Sequence, residues 1–287
     1  MTIRIASALL VSSLTVAACG GGGGGGAESP ATATSNSGGS STPITATQIA
    51  LFDQTATEKT RITAHQIDST AGTVSQSTGT LDHGINQFSL GGWTGTLDKT
   101  TGAVALSGGG TATVEKGTTK HVAFYTAEAS GENPVFGVVG QATNAADLPT
   151  TGSASYAGQS QVTIVDSVAT FDLTGTSRVD VDFSRGNASV TMTDLDGTRT
   201  TGISSPAMLT DVATVTITDM NVTGGTFSGG TTAVSSPYVL GNLTPSAVTQ
   251  TSGGLYGPTA NEVGGVFRTD DSAAGDLLVQ GAFVGEQ

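Results

Sequence analysis

A regular alternation of polar and apolar residues is the feature that most constrains what this chain can fold into. In Arg178–Phe183, charged residues alternate with valine and phenylalanine, and Val190 and Met192 alternate with threonines in the same way. A period of two gives a strand one wet face and one dry face, and no long window carries the apolar stripe of a helix. Turn signals separate the runs at Gly186-Asn187, Asp196-Gly197, Gly224-Gly225, Gly229-Gly230 and Gly264-Gly265. Short strands with frequent turns predict an antiparallel sandwich or barrel.

One interruption of the alternation predicts a local irregularity. Val215 and Ile217 share a face, but Met220 and Val222 fall one step out of phase with them. A bulge near Asp219 would restore the register, because one extra residue returns the later side chains to the dry face.

Composition supports a β-protein and limits its partners. Charged residues make up only 11% of the chain, and glycine, serine and threonine take their place. The formal net charge is −13, so the basic surface that binds nucleic acid or anionic lipid is absent and no nucleic-acid partner is expected. Cys19 is the only cysteine, so no internal disulfide can form and the fold must hold through core burial and strand pairing.

The N-terminal segment is typical of a secreted protein with a lipid anchor. Arg4 precedes a short apolar run, and Ala17 and Ala18 come directly before Cys19. This arrangement resembles the bacterial lipobox, whose cysteine takes acyl chains such as palmitate and becomes the mature N-terminus. A buried thiol or an intermolecular disulfide is the alternative, but Gly20–Gly26 offer a thiol no core. The apolar run is about half the length that spans a bilayer, so no transmembrane helix is predicted.

Shifts in composition divide the chain into four segments. We expect a lipoprotein signal peptide at 1–18, a flexible tether at 19–46, a small β subdomain at 47–148 and an eight-stranded barrel at 149–287. The strand candidates of the subdomain are Lys59–Ile67, Gln87–Leu97, Gly102–Val114, Thr119–Ala127 and Pro134–Gln141. Those of the barrel are Ser153–Ala157, Gln161–Val165, Ala169–Leu173, Arg178–Phe183, Ala188–Asp194, Thr214–Asn221, Val263–Arg268 and Leu277–Phe283.

Four stretches carry a family resemblance. The run Leu255–Phe267 and the ending Gly281–Gly285 resemble the closing barrel strands of the transferrin-binding protein B family of surface lipoproteins. Leu148–Gly158 is similar to the first barrel strand of that family, and Val181–Phe183 is similar to an internal strand. Together they cover roughly 149–287. This chain departs from the family pattern because it has one lobe instead of two, and no ligand-binding loop of the family is matched residue by residue.

The resemblance implies an all-β protein in which an antiparallel β handle, residues 47–148, precedes an eight-stranded antiparallel barrel. It also implies a lipoprotein of the outer membrane, held in the lipid bilayer through Cys19 and facing the cell surface, with the periplasmic face as the alternative. Relatives include factor H binding protein, the neisserial heparin-binding antigen and haem-capturing lipoproteins. The implied partners are a protein or an iron- or haem-bearing ligand, and an outer-membrane translocator or receptor.

The C-terminal motif also has a physical interpretation, in which it specifies the fold. Gly257 and Pro258 would set a turn, and Glu262 would accept backbone N–H bonds at that turn. Gly264 and Gly265 would let the strand bend at a barrel corner, and Phe267 would fill the barrel. The motif residues are Tyr256, Gly257, Pro258, Glu262, Gly264, Gly265 and Phe267.

Residue patterns argue against an enzyme. The nucleophile elbow Gly-x-Ser-x-Gly is missing, and His65, His83 and His121 show no metal-ligand spacing. The loop Asp194–Gly197 lacks the remaining ligands of a calcium loop. We therefore expect no catalytic residues, no metal site and a non-catalytic binding role. A structural or adhesion-type surface lipoprotein without a nutrient ligand is the alternative.

A few residues are candidates for ligand binding. His121 is the best candidate for a haem-iron ligand because it lies close to Tyr125 in the sequence, and Tyr125 and His83 are further candidates for ligand binding. No cofactor is otherwise expected. Trp93, the only tryptophan, would anchor a core if buried or contact a partner if exposed. The handle loops His83–Asn86 and Ser130–Asn133 are the places where a partner is expected.

Overall fold

The protein is described here from a computed structural model that covers residues 44–45, 48–202, 206–272 and 276–287. Over these residues it is all-β, with one turn of 3-10 helix at Ala145–Asp147. No helix in this part of the chain is long and apolar enough to cross a membrane. The expected signal peptide, Cys19 and nearly all of the expected tether lie outside the described residues.

The N-terminal sheet is a meander that closes on itself. From β2 to β9 each strand pairs with the next in antiparallel fashion, and β2 also pairs with β9, so these eight strands form a ring. The short strand β1 pairs with β2 in parallel. The strands are β1 Ile44–Thr45, β2 Lys59–Asp68, β3 Val74–Asp82, β4 Gln87–Leu90, β5 Trp93–Leu97, β6 Ala103–Leu106, β7 Gly110–Val114, β8 Val122–Ala129 and β9 Val135–Gly140. The expected handle is therefore itself a small closed barrel, which we continue to call the handle.

The C-terminal sheet closes in the same way. Its strands are β10 Ser153–Val165, β11 Thr170–Asp182, β12 Asn187–Thr200, β13 Ala207–Leu209, β14 Thr214–Thr223, β15 Thr226–Ser228, β16 Thr231–Ser235, β17 Thr249–Tyr256, β18 Glu262–Asp270 and β19 Leu278–Glu286. The ring runs β10-β11-β12-β14-β15-β17-β18-β19 and closes where β19 pairs with β10. The short strands β13 and β16 extend β12 and β14 at one end. The expected eight-stranded antiparallel barrel is thus confirmed.

Each ring is filled by the apolar side chains of its inward faces. In β10 and β11 buried and exposed positions alternate over most of the strand, as the period-two pattern predicts. Phe171, Phe227, Phe267 and Phe283 are almost fully buried in the barrel core. The handle has a separate core that includes Ile62, Leu81, Leu97 and Tyr125.

Several strand boundaries differ from the sequence-based expectation. The segments Gln87–Leu97 and Gly102–Val114 are each two strands, divided by turns in which Gly91, Gly92 and Gly109 have positive φ. The strand β3 was not expected, because serine, threonine and glycine dominate it. In the barrel, four expected short strands merge into β10 and β11, and β17 was missed. Strand length was underestimated where a polar residue interrupts the apolar face.

The predicted bulge is present. Between β12 and β14 the partners change from Ala188–Met220 to Val190–Ile217, so β14 holds one extra residue at this point. Asp219 lies inside the bulge with a φ of 58°. The extra residue keeps Ile217 and Met220 both buried in the core, which is what the phase shift in the sequence requires.

The loops of the barrel lie at two ends. One end, the barrel mouth, comprises residues 166–171, 196–202, 206–213, 236–248, 270–272 and 276–277. The other end comprises the turns 183–186, 224–225 and 257–261. The turn 257–261 contains Gly257 and Pro258 of the C-terminal motif and lies against the handle, which also packs against β17, β18 and β19.

Candidate functional site

The carboxylate of Glu262 joins the barrel to the handle. Glu262 is the first residue of β18, and only 1% of its surface is exposed. Its Oε1 accepts the backbone N–H of Lys120 at 2.9 Å, and its Oε2 accepts those of His121 at 2.8 Å and Val122 at 3.1 Å. Three successive amides that surround one carboxylate form an anion-binding nest, and such charge-assisted bonds are stronger than neutral ones. We call this contact the clasp.

This arrangement corrects the expected role of Glu262. The residue does accept backbone N–H bonds, but the donors belong to the handle and not to its own turn. The turn is held by other bonds: Gly257 N–H donates to the carbonyl of Gln141 at 3.1 Å, and the Thr143 hydroxyl donates to the carbonyl of Gly257 at 2.8 Å. The motif is therefore a contact between the two rings.

The position of Gly257 shows why glycine is needed in the turn. Its φ is 80°, a conformation that L side chains rarely adopt, and a Cβ there would lie 2.5 Å from Oδ1 of Asn261. Pro258 follows it directly, as the turn chemistry predicts. The carbonyl of Ala260 then accepts the hydroxyl proton of Tyr156 at 2.7 Å, so a barrel strand holds the far side of the turn.

The two glycines of β18 serve close packing. The β17–β18 ladder runs through Gly264 and Gly265 without a register shift, and the expected bend at a barrel corner stays a prediction. A Cβ on Gly264 would lie 2.8 Å from Cγ2 of Val122 in the handle. A Cβ on Gly265 would lie 2.8 Å from Cζ of Phe283. The absence of side chains at these positions lets the handle and the core phenylalanine approach the strand.

An apolar cluster surrounds the clasp and completes the contact. Tyr256 is fully buried and packs with side chains of both rings. The cluster comprises Ile67, Val122, Phe124, Val138, Tyr256, Val266, Ala282 and Val284. Gly140 lies close to the aromatic side chain of Tyr256, since a Cβ at position 140 would lie 2.7 Å from Cδ1 of Tyr256. Burial of apolar surface and a satisfied carboxylate thus act at the same place.

His65 belongs to the same interface. Its Nδ1 lies 2.7 Å from the hydroxyl of Ser252 in the barrel, and its ring meets that of Tyr256 edge-on with centroids 6.4 Å apart. Burial lowers the pKa of His65 from its ordinary value of 6.5 to about 4, because the protonated form would lose its hydration. The imidazole is therefore neutral at the contact near neutral pH.

Two of the candidate ligand-binding residues are buried near the interface. His121 is 8% exposed, its backbone belongs to the clasp, and its Nδ1 has no hydrogen-bond partner. Burial lowers the pKa of His121, and the nearby Glu262 carboxylate partly opposes that shift. Tyr125 is 1% exposed, donates its hydroxyl proton to Oε1 of Gln66, and has its pKa raised by burial.

The other two candidates lie at opposite ends of the handle. His83 precedes β4 and is buried, with Nε2 3.3 Å from the Thr60 hydroxyl. Burial lowers the pKa of His83, and the nearby charge of Lys99 lowers it further. Trp93 begins β5 at the other end and is partly buried, with its indole N–H donated to Oε2 of Glu132 at 2.5 Å. That bond joins Trp93 to the expected loop Ser130–Asn133. The structure does not bring the four candidates together.

Among the other titratable groups of the described residues, Glu115 contributes to the contact between the rings. Among the described residues, no group of three histidine, cysteine, aspartate or glutamate side chains is placed to hold a metal ion. The partly buried Glu115 of the handle accepts a hydrogen bond from Nε2 of Gln161 in the barrel at 3.0 Å, and its partial burial raises its pKa. Sequence reasoning missed this further polar contact between the rings, because nothing local to either residue indicates it.

Replacement of Glu262 should separate the clasp from general effects of acidic residues. Glu262→Ala leaves three N–H groups at the interface unpaired, those of His121 and Val122 buried, and should lower the free energy of unfolding by about 3 kcal/mol or more. Glu262→Gln retains one acceptor oxygen and should cost about half as much. Glu128→Ala, which removes an exposed carboxylate from β8, is the control and should change stability by less than about 0.5 kcal/mol. Urea unfolding measures all three, and equal effects of Glu262→Ala and the control would contradict the clasp.

Acid should weaken the interface through His65. Because the folded pKa of about 4 lies below the ordinary 6.5, the unfolded chain binds a proton first as the pH falls. The contribution of neutral His65 is complete above about pH 6.5 and is lost progressively down to about pH 4. Between about pH 7 and pH 5, His65→Gln should lose about 2 kcal/mol less stability than the natural chain. Urea unfolding at both pH values measures this, and an identical loss in both proteins would contradict it.

Comparison with known proteins identifies the family of the barrel. Residues 148–287 match a family described as the C-lobe and N-lobe beta barrels of Tf-binding protein B. No curated protein sequence matches the chain significantly.

Two solved variants of one protein agree with this fold. Transferrin Binding Protein B from Haemophilus parasuis Hp5 is similar in two variants, with sequence identities of 22% and 20% and TM-scores of 0.52 and 0.53. Each match covers 79% of this chain but only 44% of the other, so this chain spans less than half the length of those proteins. HpuA from Kingella denitrificans, solved in complex with human haemoglobin, is 16% identical over 86% of this chain and 95% of its own, with a TM-score of 0.39. Residues 148–287 of this chain therefore form a barrel of the transferrin-binding protein B family.

Proposed function

We propose that this chain is a non-catalytic binding lipoprotein of the outer membrane that captures an iron-carrying protein at the cell surface. The observation that carries the proposal is the clasp: a buried carboxylate and an apolar cluster fix a family barrel against its handle. A rigid scaffold of this kind holds the loops at its ends in constant positions, which is how loops on β frameworks recognise partners.

The placement of titratable groups supports binding over catalysis. Catalysis needs an acid, a base or a nucleophile that converge on an accessible pocket. Here the shifted groups His65, His121 and Tyr125 are buried at contacts within the protein, and burial favours the neutral form of each. Their shifts have a structural cause, which is the packing of the two rings.

The proposed anchor lies in the N-terminal segments. Residues 1–18 act as the signal peptide, Cys19 carries the acyl chains, and residues 19–46 act as the tether that joins the anchor to the handle at 47–148 and the barrel at 149–287. A flexible chain of this length holds a domain roughly 30 Å from its anchor on average. That reach lets the loops pass the lipid headgroups, and attachment by several acyl chains is stable where a single chain is marginal.

A protein ligand is favoured over free haem. The four candidate side chains do not converge, and His121, Tyr125 and His83 are buried inside the fold. Two similar solved structures carry the name Transferrin Binding Protein B, and we propose an iron-carrying protein of that type as the ligand of this chain. A translocator or receptor of the outer membrane is the further partner that surface display requires.

The anchor can be tested by one substitution. Cys19→Ala should abolish labelling with a palmitate analogue and move the protein from the membrane fraction to the soluble fraction, because no other residue can take the acyl chains. The serine substitution Ser12→Ala, within the signal segment, is the control and should leave both readouts unchanged. Proteinase treatment of intact cells should digest the natural protein if it faces outward. Retention of the Cys19→Ala protein in the membrane would contradict the anchor.

The ligand can be tested by titration. Iron-loaded transferrin should bind the purified soluble chain saturably in biolayer interferometry, whereas haemin should give no saturable shift of its Soret absorbance band. A saturable haemin shift that is lost in His121→Ala would replace the protein ligand with haem. Absence of any saturable ligand, together with altered surface adhesion of a deletion strain, would favour the adhesion-type alternative.

A further inference from the structure

The barrel mouth collects most of the exposed large apolar side chains of the described residues. Five of the six such side chains lie there, and the sixth is Ile85 on the handle, 65% exposed. The five are Met208 at 75%, Val248 at 71%, Leu240 at 64%, Val168 at 49% and Tyr238 at 41% exposed. Single exposed apolar residues are normal, but several that gather at one end of a domain indicate an interaction surface.

The long loop of the mouth, residues 236–248, is held in place from below. Val239 and Leu243 pack against the barrel core and leave their neighbours facing outward. The Ser236 hydroxyl donates to the carbonyl of Val212 at 2.5 Å, and the N–H of Thr244 donates to Oδ2 of Asp271 at 2.5 Å. Exposed side chains on such a loop lose little freedom when a partner binds.

The buried carboxylate of Asp166 binds backbone N–H groups from two loops of the mouth. Oδ1 of Asp166 accepts the N–H groups of Val168 at 2.8 Å and Ala169 at 2.7 Å, and its Oδ2 accepts the N–H of Leu240 at 2.9 Å. Val168 and Leu240 come from segments 72 positions apart in the chain, and Asp166 holds their backbones beside each other. Val168 and Leu240 therefore lie beside each other at the mouth.

The charges of the mouth determine which partner fits. The described mouth residues include six aspartates, and Arg199 is the one cation, with its guanidinium 5.8 Å from the centre of the Phe171 ring. The six are Asp166, Asp196, Asp211, Asp270, Asp271 and Asp276. Four of them, at positions 196, 211, 270 and 276, are exposed, and Asp270 is paired with Arg268. The potential around the apolar centre is therefore negative.

The negative potential at the mouth excludes several kinds of binding partner. It repels an anionic bilayer and the propionates of haem, and it repels a second copy of a chain whose formal net charge is −13. We propose that the barrel mouth docks a protein surface whose apolar centre is surrounded by lysine and arginine. The inference rests on the proposed function, because it assigns the surface and the chemistry by which a protein ligand is captured.

The experiment selects a phage-displayed library of random peptides on the soluble chain, immobilised through its N-terminus. The most enriched peptide is synthesised, and its Kd is measured by fluorescence anisotropy at two salt concentrations. Leu240→Asp and Val248→Asp are the mouth variants, and Ile85→Asp is the control matched for exposure. Because Ile85 lies in the handle loop His83–Asn86, where the sequence leads us to expect a partner, this variant also tests that surface against the mouth. Circular dichroism and thermal unfolding establish that each variant is folded, and the second mouth variant serves if the first is not.

Enriched peptides should carry net positive charge and at least one large apolar residue. Their Kd should rise about tenfold or more in the mouth variants, by less than about twofold in Ile85→Asp, and should rise with salt. No enrichment, neutral or acidic peptides, or an equal loss in the control would overturn the inference. Transferrin binding that Leu240→Asp leaves unchanged would overturn the mouth and retain the proposed function. Peptide binding at the mouth without transferrin binding would overturn the proposed ligand and retain the mouth.

Discussion

The buried carboxylate of Glu262 is the interaction on which the rest of the structure depends. A charge in this position is costly unless its oxygens are satisfied, and three successive amides of residues 120–122 satisfy them. This requirement fixes the position of the handle on the barrel, since a small shift of the handle would leave the carboxylate and three N–H donors unpaired. The apolar cluster around Tyr256 adds affinity to the contact, and the clasp adds its geometry.

The clasp determines which surfaces remain available to a partner. It lies at the end of the barrel that contains the turn 257–261, and the rest of the handle contact includes Ser252 and Val266 on the neighbouring strands, whereas the loops of the mouth lie at the opposite end. The mouth repeats the same device on a smaller scale, because the buried carboxylates of Asp166 and Asp271 hold backbone N–H groups of the long loop. In both places an acidic side chain determines a backbone position, which suits a chain that is poor in lysine and arginine.

The sequence predicts the fold class better than it predicts the contacts. The alternation in Arg178–Phe183 and the phase shift at Asp219 are local, and both indicate the observed strands and bulge. The motif around Glu262 is visible in the sequence, but its donors are main-chain groups and Val122 lies 140 residues away. Main-chain N–H groups carry no side-chain signal, so a contact through them cannot be inferred locally. Leu240 and Val239 are both aliphatic, so the sequence alone does not distinguish them. In the structure Leu240 is exposed and Val239 packs against the barrel core.

Amide hydrogen exchange of Lys120, His121 and Val122 tests the central claim most directly. If Glu262 holds these N–H groups in a rigid contact, they should exchange nearly as slowly as the amides of the barrel strand β18, and Glu262→Ala should release them while β18 stays protected. Exchange in the natural chain as fast as that of the exposed loop residue Gly131, with β18 still protected, would show that handle and barrel are not held by the clasp.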